Sequence, residues 1–368
     1  MARPKPDAPA RDRRAPTTPA RARKRFRLIS RAAIKRLVVL AGLASIGLAA
    51  AWAFLVRMPG ENHTGPLPPL TQAQAEAAQR LESDVRTLAT DHAQRHTYAP
   101  DATRAAATFL AARLANAGLE VNLTEHRFAG SASPCINLDA TVPGLRASSP
   151  IIVVGAHYDT FAGTPGADDN ASGVAGVIEL AHRFARTPAP IPIRFELFGN
   201  EEPPHFMTDT MGSVLSADAA RARGDDILAM VNLEMIGYFD DTPGSQRYPP
   251  PIGPFYPDRG DFIAIVGNVR SAGLVRQVVR HWRDTQAFPV HGAALPESIP
   301  GIGFSDHRSF WAAGYRAVMV TDTSFYRNPN YHTSADTPDT LDYERMARVI
   351  DAVEAVIRDL ATTRRDDD

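Results

Sequence analysis

A single cysteine, Cys135, stands in a chain of 368 residues. An internal disulfide is therefore impossible, and a cysteine-built structural zinc site is excluded with it. The length is enough for one large domain with a full apolar core, so no such staple is required. Cys135 lacks any local nucleophile context and reads as a buried or partly buried small apolar residue. Acids are scarce at the N-terminus, where Asp7 and Asp12 are the only ones among residues 1–36. The formal net charge of -1 thus hides a basic tail and an acidic remainder. Charge is absent altogether from residues 37–56, LVVLAGLASIGLAAAWAFLV. No internal repeat is evident.

That uncharged run matches a bilayer span of about 30 Å at 1.5 Å per residue. Lys35, Arg36 and Arg57 flank it, and the positive-inside rule puts the basic tail in the cytoplasm and the bulk outside. A nucleic-acid partner for the tail gives way to this topology signal, with a juxtamembrane lipid contact still open. A cleaved signal peptide is the competing reading. The long apolar stretch and long basic lead favour an uncleaved anchor, and either way the bulk is exported, periplasmic or extracellular in a bacterium. Residues 58–72 read as a Pro/Gly-rich linker. The sequons at Asn62 and Asn122 matter only in a eukaryotic secretory pathway. The expected organisation is a tail (1–36), an anchor (37–56), a linker with the first helices (57–84), a catalytic domain (85–362) and a charged tail (363–368).

Helix formers with apolar spacing near 3.6 fill residues 71–118. Strand-like runs follow at LEVNLTEHRF, INLDATV and PIIVVGAHYDT, and the last is apolar enough to be buried on both faces. From there helices (GVAGVIELAHRFA, SAGLVRQVVRHWRDT, YERMARVIDAVEAVIRDLAT) alternate with strands (IPIRFELFGN, ILAMVNLEMIGY, FIAIVG, YRAVMVTD). The pattern predicts an α/β fold, a three-layer sandwich around a central mixed, mostly parallel sheet. The Pro/Tyr-rich segment 240–261 is long for a loop and reads as a lid or pocket wall.

In such sheets ligands bind beyond the carboxyl ends of the strands. His157, Tyr158 and Asp159 follow one apolar run, and Asn200, Glu201 and Glu202 follow another. Glu234 lies near the end of a third, and His332 follows a fourth. Asp168 and Asp169 precede a helix. Two imidazoles among several carboxylates suit zinc or a similar divalent ion. The carboxylates outnumber what one ion needs, so two ions bridged by one carboxylate would use them all. Each piece alone is weak: a histidine after a strand is usually structural, adjacent acids are usually a solvated face, and ADDN suits a turn with an N-cap. Their placement at one sheet edge is what joins them.

GAHYDT, PGADDNASG, NEEPP, NLEMIGY, FSDHRSFW and YHTSADT, in this order, resemble the zinc aminopeptidase family that includes glutamate carboxypeptidases and glutaminyl cyclases. The resemblance runs from about residue 85 to 355. It implies a dizinc exopeptidase acting on peptides through a metal-bridging water. It implies His157 and Glu234 as ligands of one zinc, Asp169 as the bridge, Glu202 and His332 as ligands of the second, and Glu201 as general base. Position 234 is often Asp in that family. Asp159 is expected to orient His157, with a strand-end turn as its alternative. Tyr331 is expected either to stabilise the oxyanion or to form an aromatic pocket wall. Asp306 and His307 look like pocket residues rather than ligands. His63, His92, His96, His126, His182, His205, His281 and His291 take structural readings, the last in a loop. Two rivals stand beside the aminopeptidase: a one-zinc glutaminyl cyclase, which the intact DDNASG disfavours, and a non-catalytic receptor, which would be expected to have lost ligands. Oligomeric state is open.

Overall fold

The structure is a computed structural model that describes residues 1–2, 30–128, 133–146 and 150–362. Most of the basic tail and the whole of 363–368 lie outside the described residues. The chain divides into two units, Met1–Ala49 and Ala50–Asp368. Most of an apolar helix, α1 (Arg31–Leu55), lies in the first; it has no buried residue, and its most apolar 18-residue stretch has a mean hydropathy of 2.2. The helix starts six residues before the expected span because Arg31, Lys35 and Arg36 are good helix formers and join its first turns.

The second unit opens with α2 (Gln72–Thr90) and α3 (Pro100–Ala115). A capping box starts α2: the Thr71 hydroxyl accepts from the Gln74 backbone N–H, and the Gln74 side chain accepts from the Thr71 backbone N–H. Then come β1 (Val121–His126), β2 (Cys135–Val142), β3 (Ile151–His157), α4 (Gly173–Arg186), β4 (Ile193–Phe198), α5 (Gly212–Arg223) and β5 (Ile227–Glu234). The chain ends with β6 (Ile263–Asn268), α6 (Ala272–Thr285), β7 (Val290–Leu295), α7 (His307–Ala312), β8 (Ala317–Thr321) and α8 (Tyr343–Thr362). The strands form one sheet in the order β1-β2-β4-β3-β5-β8-β6-β7. Pairings β3·β4, β3·β5, β5·β8 and β6·β7 are parallel, and β1·β2, β2·β4 and β6·β8 are antiparallel. The sheet is mixed and more parallel than not.

Side chains alternate between two cores, as a period of two requires. Ile152 and Val154 of β3, Ile263 and Ile265 of β6, and Val318 and Val320 of β8 join the core that includes α2, α4, α6 and α8. Val153, Ala264, Val266, Ala317 and Met319 join the opposite core with α5 and α7. Cys135 is buried and free. Over β6 and β7 the second face meets the loop carrying Tyr248, Ile252 and Tyr256, not a helix, and a cavity remains there.

Strand β7 and the linker depart from the sequence reading. The strand β7, VHGAAL, went unrecognised because its Gly and Ala have low β-propensity. His291 therefore sits on a strand, not in a loop. The linker is packed: Met58 is buried, and Arg283 donates to the carbonyls of Met58, Pro59 and Gly60 at 3.0–3.3 Å.

Candidate metal centre and cavity

The parallel strands β3, β4, β5 and β8 point their carboxyl ends to one edge, and the candidate residues meet there. His157 ends β3 and Glu234 ends β5; the two strands are sheet neighbours. His157 Nε2 lies 3.3 Å from Glu234 Oε2 and 3.4 Å from Asp169 Oδ1. The other oxygen of Asp169, Oδ2, lies 3.1 Å from His332 Nε2, which is 3.2 Å from Glu202 Oε1. His157, Asp169 and Glu234 thus form one group able to hold an ion, and Asp169, Glu202 and His332 form another. Glu201 is not in either group; its Oε2 is 3.9 Å from His157 Nε2.

Hydrogen bonds fix the backbone that presents the adjacent glutamates. The Asp159 carboxylate accepts the backbone N–H groups of Glu201 and Glu202, both at 3.0 Å. It fixes the pair by its main chain, and its Oδ1 also lies 3.5 Å from His157 Nδ1. Asp336 does the same for the other acidic pair, accepting from Asp168 N–H at 2.9 Å and Asp169 N–H at 3.1 Å. Asn170 donates to the Leu233 carbonyl and to Glu234 Oε2, and Ser305 donates to Glu234 Oε2 at 2.7 Å. Asn200, Met235 and His332 all have φ between 48° and 57°. Non-glycine residues seldom adopt this region, so the surrounding bonds over-determine it.

Arg95 was invisible to the sequence reading. It is fully buried between α2 and α3 and has no carboxylate partner at hydrogen-bond distance among the described residues. Its guanidinium donates to the carbonyls of Tyr158 (2.6 Å), Leu88 (2.9 Å), Pro165 (2.9 Å) and Gly166 (2.6 Å). It therefore ties the end of α2 to the stretch after His157 and to the stretch before Asp168. A fork of five donors serves this where an ammonium cannot. Nothing local in QRH distinguishes it from a surface arginine. Asp336 had a signal, since it closes the YHTSAD motif. The Phe161 ring lies 4.2 Å from that of His332, and Tyr331 lies 3.7 Å from it, both nearly parallel, so the imidazole is sandwiched. Asp306 and His307 are buried nearby, and His307 Nε2 lies 2.8 Å from the Ile302 carbonyl.

The electrostatics call for a cation. Burial raises the Glu201 carboxyl well above its ordinary value, and the charges of Glu202 and Glu234 add to it against His157. Burial and the Asp169 charge push Glu202 up to about 8. Burial would lower both imidazoles, but Glu234 and Glu201 hold His157 well above its usual value, and Asp169 and Glu202 hold His332 up at about 9. Asp169 is driven down against burial by His157 and His332. Four buried carboxylates facing two imidazoles, with nitrogen and oxygen donors only, fit divalent ions such as zinc.

Beside these groups lies a cavity of about 330 Å³, in the range of ligand sites. Phe262, Ala264, Val266, Ala293 and Met319 form a buried apolar floor. Tyr248, Ile252 and Tyr256 from the 240–261 segment form a wall, and Tyr331 and His332 stand where the cavity meets the acids.

Comparison with known proteins gives a consistent answer. The chain is 45% identical over 216 residues to the uncharacterised protein YfbL of Escherichia coli (strain K12), covering 56% of this chain and 66% of that one. It is 24% identical over 247 residues to leucine aminopeptidase 1 of Trichoderma harzianum, covering 63% and 55%. The chain thus spans somewhat over half the length of these relatives. In fold it is similar to a zinc aminopeptidase from Bacillus subtilis (TM-score 0.60, 16% identity, 77% of this chain and 94% of that one). It is equally similar to the Porphyromonas gingivalis glutaminyl cyclase (TM-score 0.59, 17% identity, 77% and 98%). At such identities these two show the architecture alone. The profile of peptidase family M28 matches residues 137–357, which include His157, Asp169, Glu201, Glu202, Glu234 and His332, and the chain belongs to that family.

Proposed function

We propose that the chain is a two-metal aminopeptidase that releases apolar N-terminal residues from peptides, with zinc as its ion. One observation carries the reading: the two oxygens of Asp169 face different histidines, His157 and His332, so one carboxylate serves two three-ligand groups. His157 and Glu234 would complete the first group, and Glu202 and His332 the second. Bound there, the ions would acidify a water and polarise the scissile carbonyl. Glu201 is the general base. It is buried beside both groups without belonging to either, and its raised pKa suits a carboxylate that takes a proton and then hands it to the leaving amine. Asp159 holds Glu201 and Glu202 in place through their backbone N–H groups. Tyr331, on the cavity wall, donates to the developing oxyanion. The substrate's amino group meets the acidic side chains, and its first side chain enters the apolar cavity.

The presence of both ligand groups favours this over the one-zinc cyclase. Glu201→Gln is the test: turnover should fall 10²- to 10⁴-fold while bound metal stays at the wild-type level. Near wild-type hydrolysis by this variant would remove Glu201 from the mechanism. Residues 37–56 are read as an uncleaved anchor, which requires the membrane-extracted protein to have the full-length mass. A mature protein beginning near residue 53 would make the run a signal peptide.

A further inference from the structure

Among the described side chains lining the cavity, Arg247 is the only arginine or lysine. Its backbone is fixed: the Arg247 N–H donates to the Tyr326 carbonyl at 2.9 Å. The preceding Gln246 is buried and bonded to Thr323 and Arg327. The Arg247 side chain itself is exposed, and its guanidinium makes no hydrogen bond or ion pair among the described residues. Two other arginines near this loop are committed to protein groups: Arg327 to Gln246 and the Phe262 carbonyl, and Arg345 to Asp241. An exposed side chain on the wall of a cavity with a buried floor lies at its mouth.

The charge of the cavity gives that position a meaning. Asp169, Glu201, Glu202 and Glu234 all line it. They favour a substrate's amino end and repel a carboxylate. A peptide whose amine sits among these acids sends its following residue outward, toward the mouth. A guanidinium there offers a planar, always-charged fork that matches a carboxylate.

We propose that Arg247 is a specificity-determining residue that binds a carboxylate on the residue after the scissile bond. The favoured substrates are then short peptides with a free α-carboxylate or an acidic second residue. This rests on the aminopeptidase reading above, which assigns the amino end to the acids and the first side chain to the cavity.

The test compares the zinc-loaded full chain with its Arg247→Gln variant on four substrates: a leucyl-arylamide, leucyl-alanine, leucyl-alanine amide and leucyl-aspartyl-alanine amide. The wild type should prefer leucyl-alanine over its amide roughly 5- to 10-fold in kcat/KM, the scale of an accessible charge-assisted contact. The preference should appear in KM and shrink at high salt. In the variant the ratio should fall to about 1. An equal advantage for the aspartyl peptide amide would mean that a side-chain acid is read too; its absence would restrict recognition to the terminal carboxylate. A wild type that treats dipeptide and amide alike, or a variant that keeps the wild-type ratio, overturns the proposal. Failure to release leucine from the uncharged arylamide would instead strike the aminopeptidase reading, and the carboxylate proposal would fall with it.

Discussion

The two candidate metal-holding groups share Asp169 and differ in how the fold builds them. In the first, the side chains of His157, Asp169 and Glu234 are 1%, 5% and 9% exposed. In the second, the His332 side chain is 24% exposed. The first takes two of its members from the ends of adjacent parallel strands, so the sheet register sets their spacing. The second is assembled from turns. Glu202 is held by one backbone bond to Asp159, with a second Asp159 bond to the preceding Glu201, and His332 follows β8 by eleven residues, at φ 57° between two aromatic rings. A register-built group resists rearrangement because moving it means unpairing strands. A loop-built group depends on local contacts, and here it meets solvent at His332 while Glu202 stays buried. The first should hold its ion tightly, and the second should exchange it.

Substitutions in the ligands test this division with the largest effects. Asp169→Ala removes the shared carboxylate. It should bring bound zinc below one ion per chain and cost activity on the order of 10³-fold or more. His332→Ala should lose one ion and keep a tightly held one. His157→Ala should lose the tight ion. Metal content after graded chelator treatment reads all three. Equal loss from the two histidine variants at the same chelator concentration would end the distinction.

A smaller effect follows from charge. In the metal-free chain Glu202 titrates at about 8 against an ordinary 4.5, so the folded state holds a proton the unfolded state gives up. That contribution is whole below about 4.5 and is lost as pH rises to about 8. His332, at about 9 against 6.5, contributes stability that is present below 6.5 and lost as pH rises to about 9. Asp169 is lowered, so its contribution is present throughout pH 5–9 and does not vary there. The Tm of the metal-free protein should therefore fall from pH 5 to 9. The rise in Tm on adding zinc should grow over the same range, because ligands must be deprotonated to bind. A metal-free Tm that climbs with pH would show that the cluster does not control stability.

The strand-built half was the more legible in the sequence. His157 and Glu234 end apolar runs, and a run buried on both faces announces a central strand whose end faces the ligand site. Four parallel pairings follow from the alternation of strands with helices. β7 was not legible, because Gly292, Ala293 and Ala294 have little strand character of their own. Ala293 is small where the cavity needs room, while a side chain at Gly292 would meet Met58 and Val279, and Ala294 lies with them in the core on the other face, so both faces call for small residues and the strand is hidden. Arg95 was not legible either. Its partners are carbonyls 3 to 71 residues away, and carbonyls have no sequence signature. Glu201 and Glu202 were visible as a pair, but which oxygen faces which neighbour depends on the backbone that Asp159 holds.

The smallest test sharpens the comparison where the loop-built group is weakest. The Phe161 ring covers one face of His332. Stacked aromatic pairs contribute about 0.5–1.5 kcal/mol beyond their buried area. Phe161→Ala should therefore loosen the imidazole of His332 without altering any donor. Zinc affinity at the exchangeable site should drop roughly 2- to 10-fold. The tight site should not change, because His157 has its own support from the strand and from Asp159. Phe161→Tyr keeps the ring and should restore the affinity. Two-phase chelator competition separates the sites. If both phases shift together, the aromatic sandwich acts on the fold as a whole and not on the orientation of one ligand.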